Sequence, residues 1–267
     1  MELSLVIPAR NEAKRIDATL VAYAVEFAQD AEIIVAVNGS SDSTAEIAHR
    51  IAAAHPNVRV LDLPAVGKGG AVRAGFAIAR GTYAGFVDAD MATAPREYRR
   101  ILEAARGADG AIGSRWARGA TVHGRSPLRA VASRMFLALV RVLFGLRYAD
   151  TQCGAKVFHR RFLPAYLAAS HVSDLAFDVE LLLILDRAGA RLVEVPTIWV
   201  SQPGSAALGS PLGFLRHGVT MVRSLMRLWW QARGGGAGRF AAPAADARAG
   251  AEAERPGIVR TGTDVRK

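Results

Sequence analysis

At 267 residues, with 51% hydrophobic and 22% charged residues, the chain is long enough to bury one core and carry an extra arm. Its single cysteine, Cys153, excludes an intramolecular disulfide and a C-x-x-C metal site, and points to an intracellular setting. The net charge of +10 calls for an anionic partner, no stretch approaches the ~20 apolar residues of a spanning helix, and MELSLVI lacks the basic n-region and cleavage site of a secretory leader.

Residues 3–9 (LSLVIPA) and 32–37 (EIIVAV) are short apolar runs ending at Pro8 and at NGSSDST. They have the pattern of buried parallel strands that stop at functional loops. Helices are predicted over 13–27 and 43–54, the second with Ser41 or Asp42 near its cap. A strand at 58–61, a helix over 70–79 and a strand at 83–87 continue an alternation that implies a doubly wound, nucleotide-binding α/β sheet. A helix over 96–105 and a strand at 110–113 follow, and then a long amphipathic helix over 128–146 whose apolar stripe holds Leu128, Ala132, Met135, Leu139, Val142 and Leu146.

Farther on, 176–188 reads as a helix, 191–195 as a strand, and VSQPGSAALGSP as a loop rich in turn formers. Residues 212–230 form a second amphipathic helix, with Leu215, Val219, Val222, Met226 and Trp229 on one stripe, Arg216, Arg223 and Arg227 on another, and no acid. Such a helix fits the headgroup region of an anionic membrane. A helix packed on the domain with its arginines in solvent is the competing reading. Three segments result: a catalytic domain over 1–205, a basic membrane-surface helix over 206–233, and a Gly/Ala/Pro-rich tail over 234–267 expected to be disordered.

The sharpest chemical feature is VDADMATAP, which puts Asp88 and Asp90 at the carboxyl end of an apolar strand, where open α/β sheets place their ligands. Two carboxylates there suit Mg²⁺ or Mn²⁺, which takes carboxylates together with diphosphate oxygens. In GKGG, Lys68 supplies charge, and Gly69 and Gly70 give backbone access to phosphate. Between Arg115 and Arg161 stand ten Lys/Arg and one acid, Asp150, so this part of the chain faces anions. The segment lacks RNA-binding aromatic motifs, and no nucleic-acid partner is expected.

Four motifs in this order resemble the family 2 glycosyltransferases of GT-A fold, a mostly parallel Rossmann-like sheet flanked by helices, over about Leu3 to Val200. VIPARNEA resembles the first nucleoside loop, implying donor contacts from Pro8, Ala9, Arg10, Asn11 and Glu12, and NGSSDST the second, implying Asn38, Ser40 and Asp42. GKGGAVRAG implies Lys68 and Gly69, and DADMATAP implies Asp88, Ala89 and Asp90, with the metal on the two aspartates. Where relatives show two aspartates before GS, this chain has Val37 and Asn38; the Asn38 carbonyl can still accept from a base imide, and uridine and guanosine donors both stay open. Relatives also carry a basic residue where this chain has Ala206.

Arg115 in GSR, Arg129 and Ser133 in RAVAS, and DTQCGAKVF resemble the polyprenyl-phosphate branch, dolichyl-phosphate glucosyltransferases above all. Arg129 and Ser133 are four apart, so on a helix they share a face. The resemblance implies an inverting hexosyltransferase with UDP-glucose favoured over GDP-mannose, an acceptor phosphate held by arginines, and a cytoplasmic, peripheral place on the inner face of the cell membrane. Asp150 either orients the acceptor or a basic side chain, or is a structural ion-pair partner. FDVELL places Asp178 and Glu180 near the sugar or on a supporting helix. A soluble acceptor and a catalytically silent relative are the alternatives.

Overall fold

The computed structural model describes residues 1–124, 126–201 and 211–233, with the side chains of residues 129 and 211–217 outside that description. The expected alternation forms as β1 (Leu3–Ala9), α1 (Ile16–Glu26), β2 (Ala31–Asn38), α2 (Thr44–Ala54), β3 (Val58–Leu63), α3 (Gly67–Ala77), β4 (Tyr83–Val87), α4 (Pro95–Arg106) and β5 (Gly110–Ser114). Side chains of a strand alternate between faces, which builds two cores. Leu5, Ile7, Ile33 and Val35 pack on one face with Tyr23, Phe27 and Tyr98 of α1 and α4, whereas Val6, Ile34 and Phe86 meet Phe76, Phe158 and Phe177 on the other.

Further along come β6 (Thr121–His123), α5 (Pro127–Phe144), β7 (Ala155–His159), α6 (Leu163–Ala169), α7 (Phe177–Arg187), β8 (Leu192–Pro196), β9 (Ile198–Val200) and α8 (Pro211–Arg233). One seven-stranded sheet has the order β3-β2-β1-β4-β7-β5-β8, and β6 pairs with β9 separately. The sheet is parallel except at β7, which runs antiparallel between β4 and β5. Sequence reading treats DTQCGAKVF as a motif only; its second half is this strand. Val87 pairs with Ala155 and Ile112 with Lys156, so the residues just before β7 stand at the carboxyl ends of both neighbours.

Three expectations are revised. Helix α3 begins at Gly67 rather than 70: Gly69 N–H donates to Ser173 O (2.9 Å), and a Cβ at Gly69 would lie 2.4 Å from Val172 O, so glycine lets the helix start against that chain. On α5 the predicted stripe is split. Val140 is buried and Leu139 partly so, while Leu128, Met135 and Val142 are exposed, Val142 to 82%. On α8, Leu225 and Leu228 are fully buried against the core, yet Val219, Val222, Met226 and Trp230 are exposed together with Arg223 and Arg227. The helix is thus packed on the domain and also presents an apolar stripe to its surroundings.

Among the described residues no helix is long and apolar enough to cross a membrane. The boundary at 205, Ala206 and the tail 234–267 lie outside the described residues.

Tyr98 ties the two halves of the sheet. Its hydroxyl donates to Lys156 O on β7 (2.9 Å), and its ring meets Tyr23 and Phe27 edge-on. It reaches across because position 85 is glycine: a Cβ there would stand 2.0 Å from the Tyr98 hydroxyl and 2.5 Å from Lys156 O. Tyr98→Phe is expected to cost about 1 kcal/mol and Gly85→Ala about 1–3 kcal/mol. Urea unfolding should rank them in that order.

Candidate active site

Because β1, β2 and β4 are parallel neighbours, the loops after them share one edge of the sheet. Side chains zip the first two loops together. Asn11, in the left-handed region at φ 55, donates its N–H to Ser40 Oγ (3.1 Å) and accepts at Oδ1 from Ser41 N–H (2.8 Å). Glu12 N–H donates to Thr44 Oγ1 (2.8 Å) and Ala13 N–H to Asp42 Oδ2 (3.1 Å). Burial works against the Asp42 charge, but hydrogen bonds from Thr44 and Ala13 outweigh it and hold the carboxyl below its ordinary pKa.

The expected donor residues therefore converge, though much of their hydrogen bonding is with each other. Ala9 is buried in the core, Pro8 half-buried and Arg10 exposed, so Ala9 has only its backbone to offer. Asn38 departs from expectation. It is 4% exposed, and one lone pair of its Oδ1 accepts from Val66 N–H (2.8 Å), which fixes the approach to α3.

The D-x-D loop is held from behind. Thr19 Oγ1 donates to Ala89 O (2.9 Å), the Tyr23 hydroxyl to Thr93 O (2.8 Å), and Ala92 N–H to Asp90 Oδ1 (3.0 Å). Asp88 N–H donates to Gly154 O (3.0 Å) in the loop before β7. Lys68 Nζ stands 2.5 Å from Asp88 Oδ1 in a close ion pair. Burial opposes the Lys68 charge, but Asp88, Asp178 and Asp90 overcome it and raise its pKa. Burial, then Asp88, pushes the Asp90 carboxyl up, and burial raises Glu12 despite its bond from Arg15, with Asp90 and Asp88 adding to the rise.

Carboxylates that act on one another in this way, Asp88 on Asp90 and both on Glu12, make a fitting place for a hard divalent cation. Among the described residues no group of three or more His, Cys, Asp or Glu converges as ligands. Asp88 and Asp90 thus suit an ion that fills its shell with substrate and water oxygens, as Mg²⁺ does.

On the other side of β7, Arg115 and Asp150 form a buried bidentate pair, Nε to Oδ2 at 2.7 Å and Nη2 to Oδ1 at 2.9 Å, with Arg115 N–H also donating to Oδ2. Asp150 is anchored in turn by its N–H to Glu194 Oε1 (3.0 Å). Asp150 is thereby paired with a basic side chain. Ser133, half-buried on α5, lines a crevice with Trp116, Phe136, Asp150 and Gln152. Arg129 lies one turn before it on the same helix, but its side chain is outside the described residues. Sequence reasoning missed Lys156, which is 1% exposed and donates to Asp178 Oδ1 (2.5 Å) and Cys153 O (2.7 Å). Its only signal was a lysine within the apolar run AKVF. Burial pushes the Cys153 thiol up to about 12, which leaves it a packed thiol and not a nucleophile.

The sheet order and the D-x-D loop at its carboxyl edge define a GT-A fold. Residues 4–167 match the family model described as glycosyl transferase family 2, and the chain belongs to that family. It is 35% identical to glycosyltransferase AglD of Haloferax volcanii over 240 residues, 86% of this chain and 37% of that protein. It is 36% identical to dolichyl-phosphate beta-glucosyltransferase ALG5C of Trichomonas vaginalis over 212 residues, 73% of this chain and 63% of that one. The chain thus spans less than two thirds of either relative. Among solved structures it resembles glucosyl-3-phosphoglycerate synthase of Mycobacterium tuberculosis, crystallised with Mn²⁺, UDP and product, at a TM-score of 0.62 and 20% identity, covering 85% of this chain and 79% of that one.

Asp150 also makes a pH prediction. Burial alone would raise its pKa, but the hydrogen bonds and charge of Arg115 hold it below the ordinary carboxylate value. A depressed folded pKa contributes stability that is present above the unfolded value of about 3.9 and is lost as pH falls through the folded one. Asp150→Asn is expected to cost about 3–5 kcal/mol at neutral pH by stranding a buried guanidinium. Urea midpoints across pH should show the gap between wild type and variant narrowing below about pH 4.

Proposed function

We propose that this protein transfers a hexose from a nucleotide sugar, UDP-glucose before GDP-mannose, to the phosphate of a polyprenyl phosphate, with inversion at the anomeric carbon. The observation that carries the reading is the two-sided loop before β7: Asp150 grips Arg115, and four residues on Gly154 O takes the Asp88 N–H. An edge suited to a cation and a diphosphate thereby adjoins an edge suited to a second phosphate. The names of the dolichyl-phosphate glucosyltransferase relatives support the same acceptor class.

In this reading the loops after β1 and β2 seat the nucleoside, and Lys68 and the carboxylates of Asp88 and Asp90 face the diphosphate. Mg²⁺ or Mn²⁺ on those carboxylates would offset the charge that grows on the leaving nucleoside diphosphate. Arg115, Arg129 and Ser133 hold the acceptor phosphate and lessen repulsion between two anions. A phosphate monoester with a second pKa near ~6 is largely dianionic at neutral pH, so attack needs no strong general base. The exposed apolar stripes of α5 and α8, with exposed Arg134, Arg141, Arg223 and Arg227 and no acid in either helix, suit the headgroups of an anionic membrane, on the inner face of the cell membrane. The described residues up to 201 then belong to the catalytic domain, and α8 is its membrane-surface helix.

The test is incubation with Mn²⁺ or Mg²⁺, a panel of UDP- and GDP-sugars and a short polyprenyl phosphate, followed by mass spectrometry of the lipid. Metal-dependent glycolipid, absent with Asp90→Ala, is the expected result. Nucleotide-sugar binding without lipid product would instead indicate a soluble acceptor or a silent relative. Gly154→Ala should cut turnover at least tenfold while leaving the protein folded, since a Cβ there would stand 2.0 Å from Asp88 Oδ2 and turn that carboxylate away.

A further inference from the structure

Lys156 and Asp178 form a buried charge pair to which the proposed function gives no role. Two lysines flank the Phe86 ring, Lys68 Nζ at 5.8 Å and Lys156 Nζ at 5.3 Å from its centroid. Lys68 pairs with Asp88, and Lys156 pairs with Asp178, each at 2.5 Å. Both members of the second pair are nearly inaccessible, 1% and 4% exposed. A buried ion pair is weak support for stability, since apolar residues of similar volume often fold as well. Its value here lies in what it holds.

Lys156 Nζ donates to Cys153 O (2.7 Å), which fixes the Cys153–Gly154 peptide. Gly154 O in turn accepts the Asp88 N–H (3.0 Å), and the Gly154 Cα lies so close that an added Cβ would strike the Asp88 carboxylate. Asp178, for its part, also acts electrostatically on Lys68. With Lys156 in place, Asp178 has its own cation, and Lys68 is left to Asp88 until a donor phosphate competes for it.

We propose that Lys156 is a positioning residue: it latches the Cys153 carbonyl so that the turn before β7 shapes the Asp88 carboxylate, while Asp178 balances its buried charge. The inference rests on the reading that Asp88 and Asp90 hold a divalent cation.

Lys156→Met alone would strand Asp178, so the test uses Lys156→Met/Asp178→Asn, which removes both charges and the latch. Thermal melting is measured beside Mn²⁺ binding followed by the EPR signal of the free ion. The double variant is expected to melt within a few degrees of wild type but to bind Mn²⁺ at least tenfold more weakly. In Asp178→Asn the amide oxygen still accepts from Lys156 and the lysine stays on Cys153 O, so this variant should bind Mn²⁺ within about threefold of wild type and separates loss of the charge from loss of the latch. A folded double variant that binds Mn²⁺ as tightly as wild type, or an Asp178→Asn that loses tenfold or more, overturns the latch. Wild type that binds no Mn²⁺ overturns the cation reading and this inference with it.

Discussion

One antiparallel strand in an otherwise parallel sheet sets the geometry of this molecule. Parallel strands send their functional loops to the same edge, but each loop then leads away into a helix. Because β7 enters the sheet from that edge, the five residues before it, Asp150 to Gly154, lie across the ends of β4 and β5 at once. Asp150 holds Arg115 at the end of β5, and Gly154 holds Asp88 at the end of β4. The two halves of the site are therefore spaced by strand pairing, whose dimensions side chains cannot easily change.

Charge distribution follows from that frame. Acids gather on the β1–β4 side, where Asp88 pushes the Asp90 carboxyl up and both push Glu12 up, with Lys68 on Asp88 and Arg15 on Glu12. Bases predominate along residues 115–161, where Asp150 is the one acid among ten Lys/Arg, and it is already committed to Arg115. A protein meant only to be stable would mix these signs. Keeping them apart leaves one edge suited to a cation and the other suited to an anion.

Much of this was legible in the sequence. Asp88 and Asp90 stood out because an uninterrupted apolar strand ends directly before them, and the zip between Asn11 and Ser41 lies within two of the loops the motifs marked. What Asn38 does was not legible, since its partner is the backbone of Val66, 28 residues away, and a motif says nothing about which lone pair is already used. Strand β7 was hidden for a related reason: AKVFH is five residues long, alternates weakly, and pairs only with strands distant in sequence. Lys156 was hidden with it, because a lysine in a short strand reads as a solvent-facing position until its partner on α7 is known. On α5, heptad-like spacing showed an apolar stripe at Leu128, Met135 and Val142 but could not say whether core or surroundings cover it.

The central claim is that the pair of carboxylates after β4 is where a cation and the donor diphosphate meet. Anomalous diffraction from crystals grown with Mn²⁺ and UDP tests it directly. The account predicts one strong peak between the Asp88 and Asp90 carboxylates, with the diphosphate against it and Lys68 turned from Asp88 toward phosphate. UDP bound with no peak there, and with Lys68 still paired to Asp88, would contradict it.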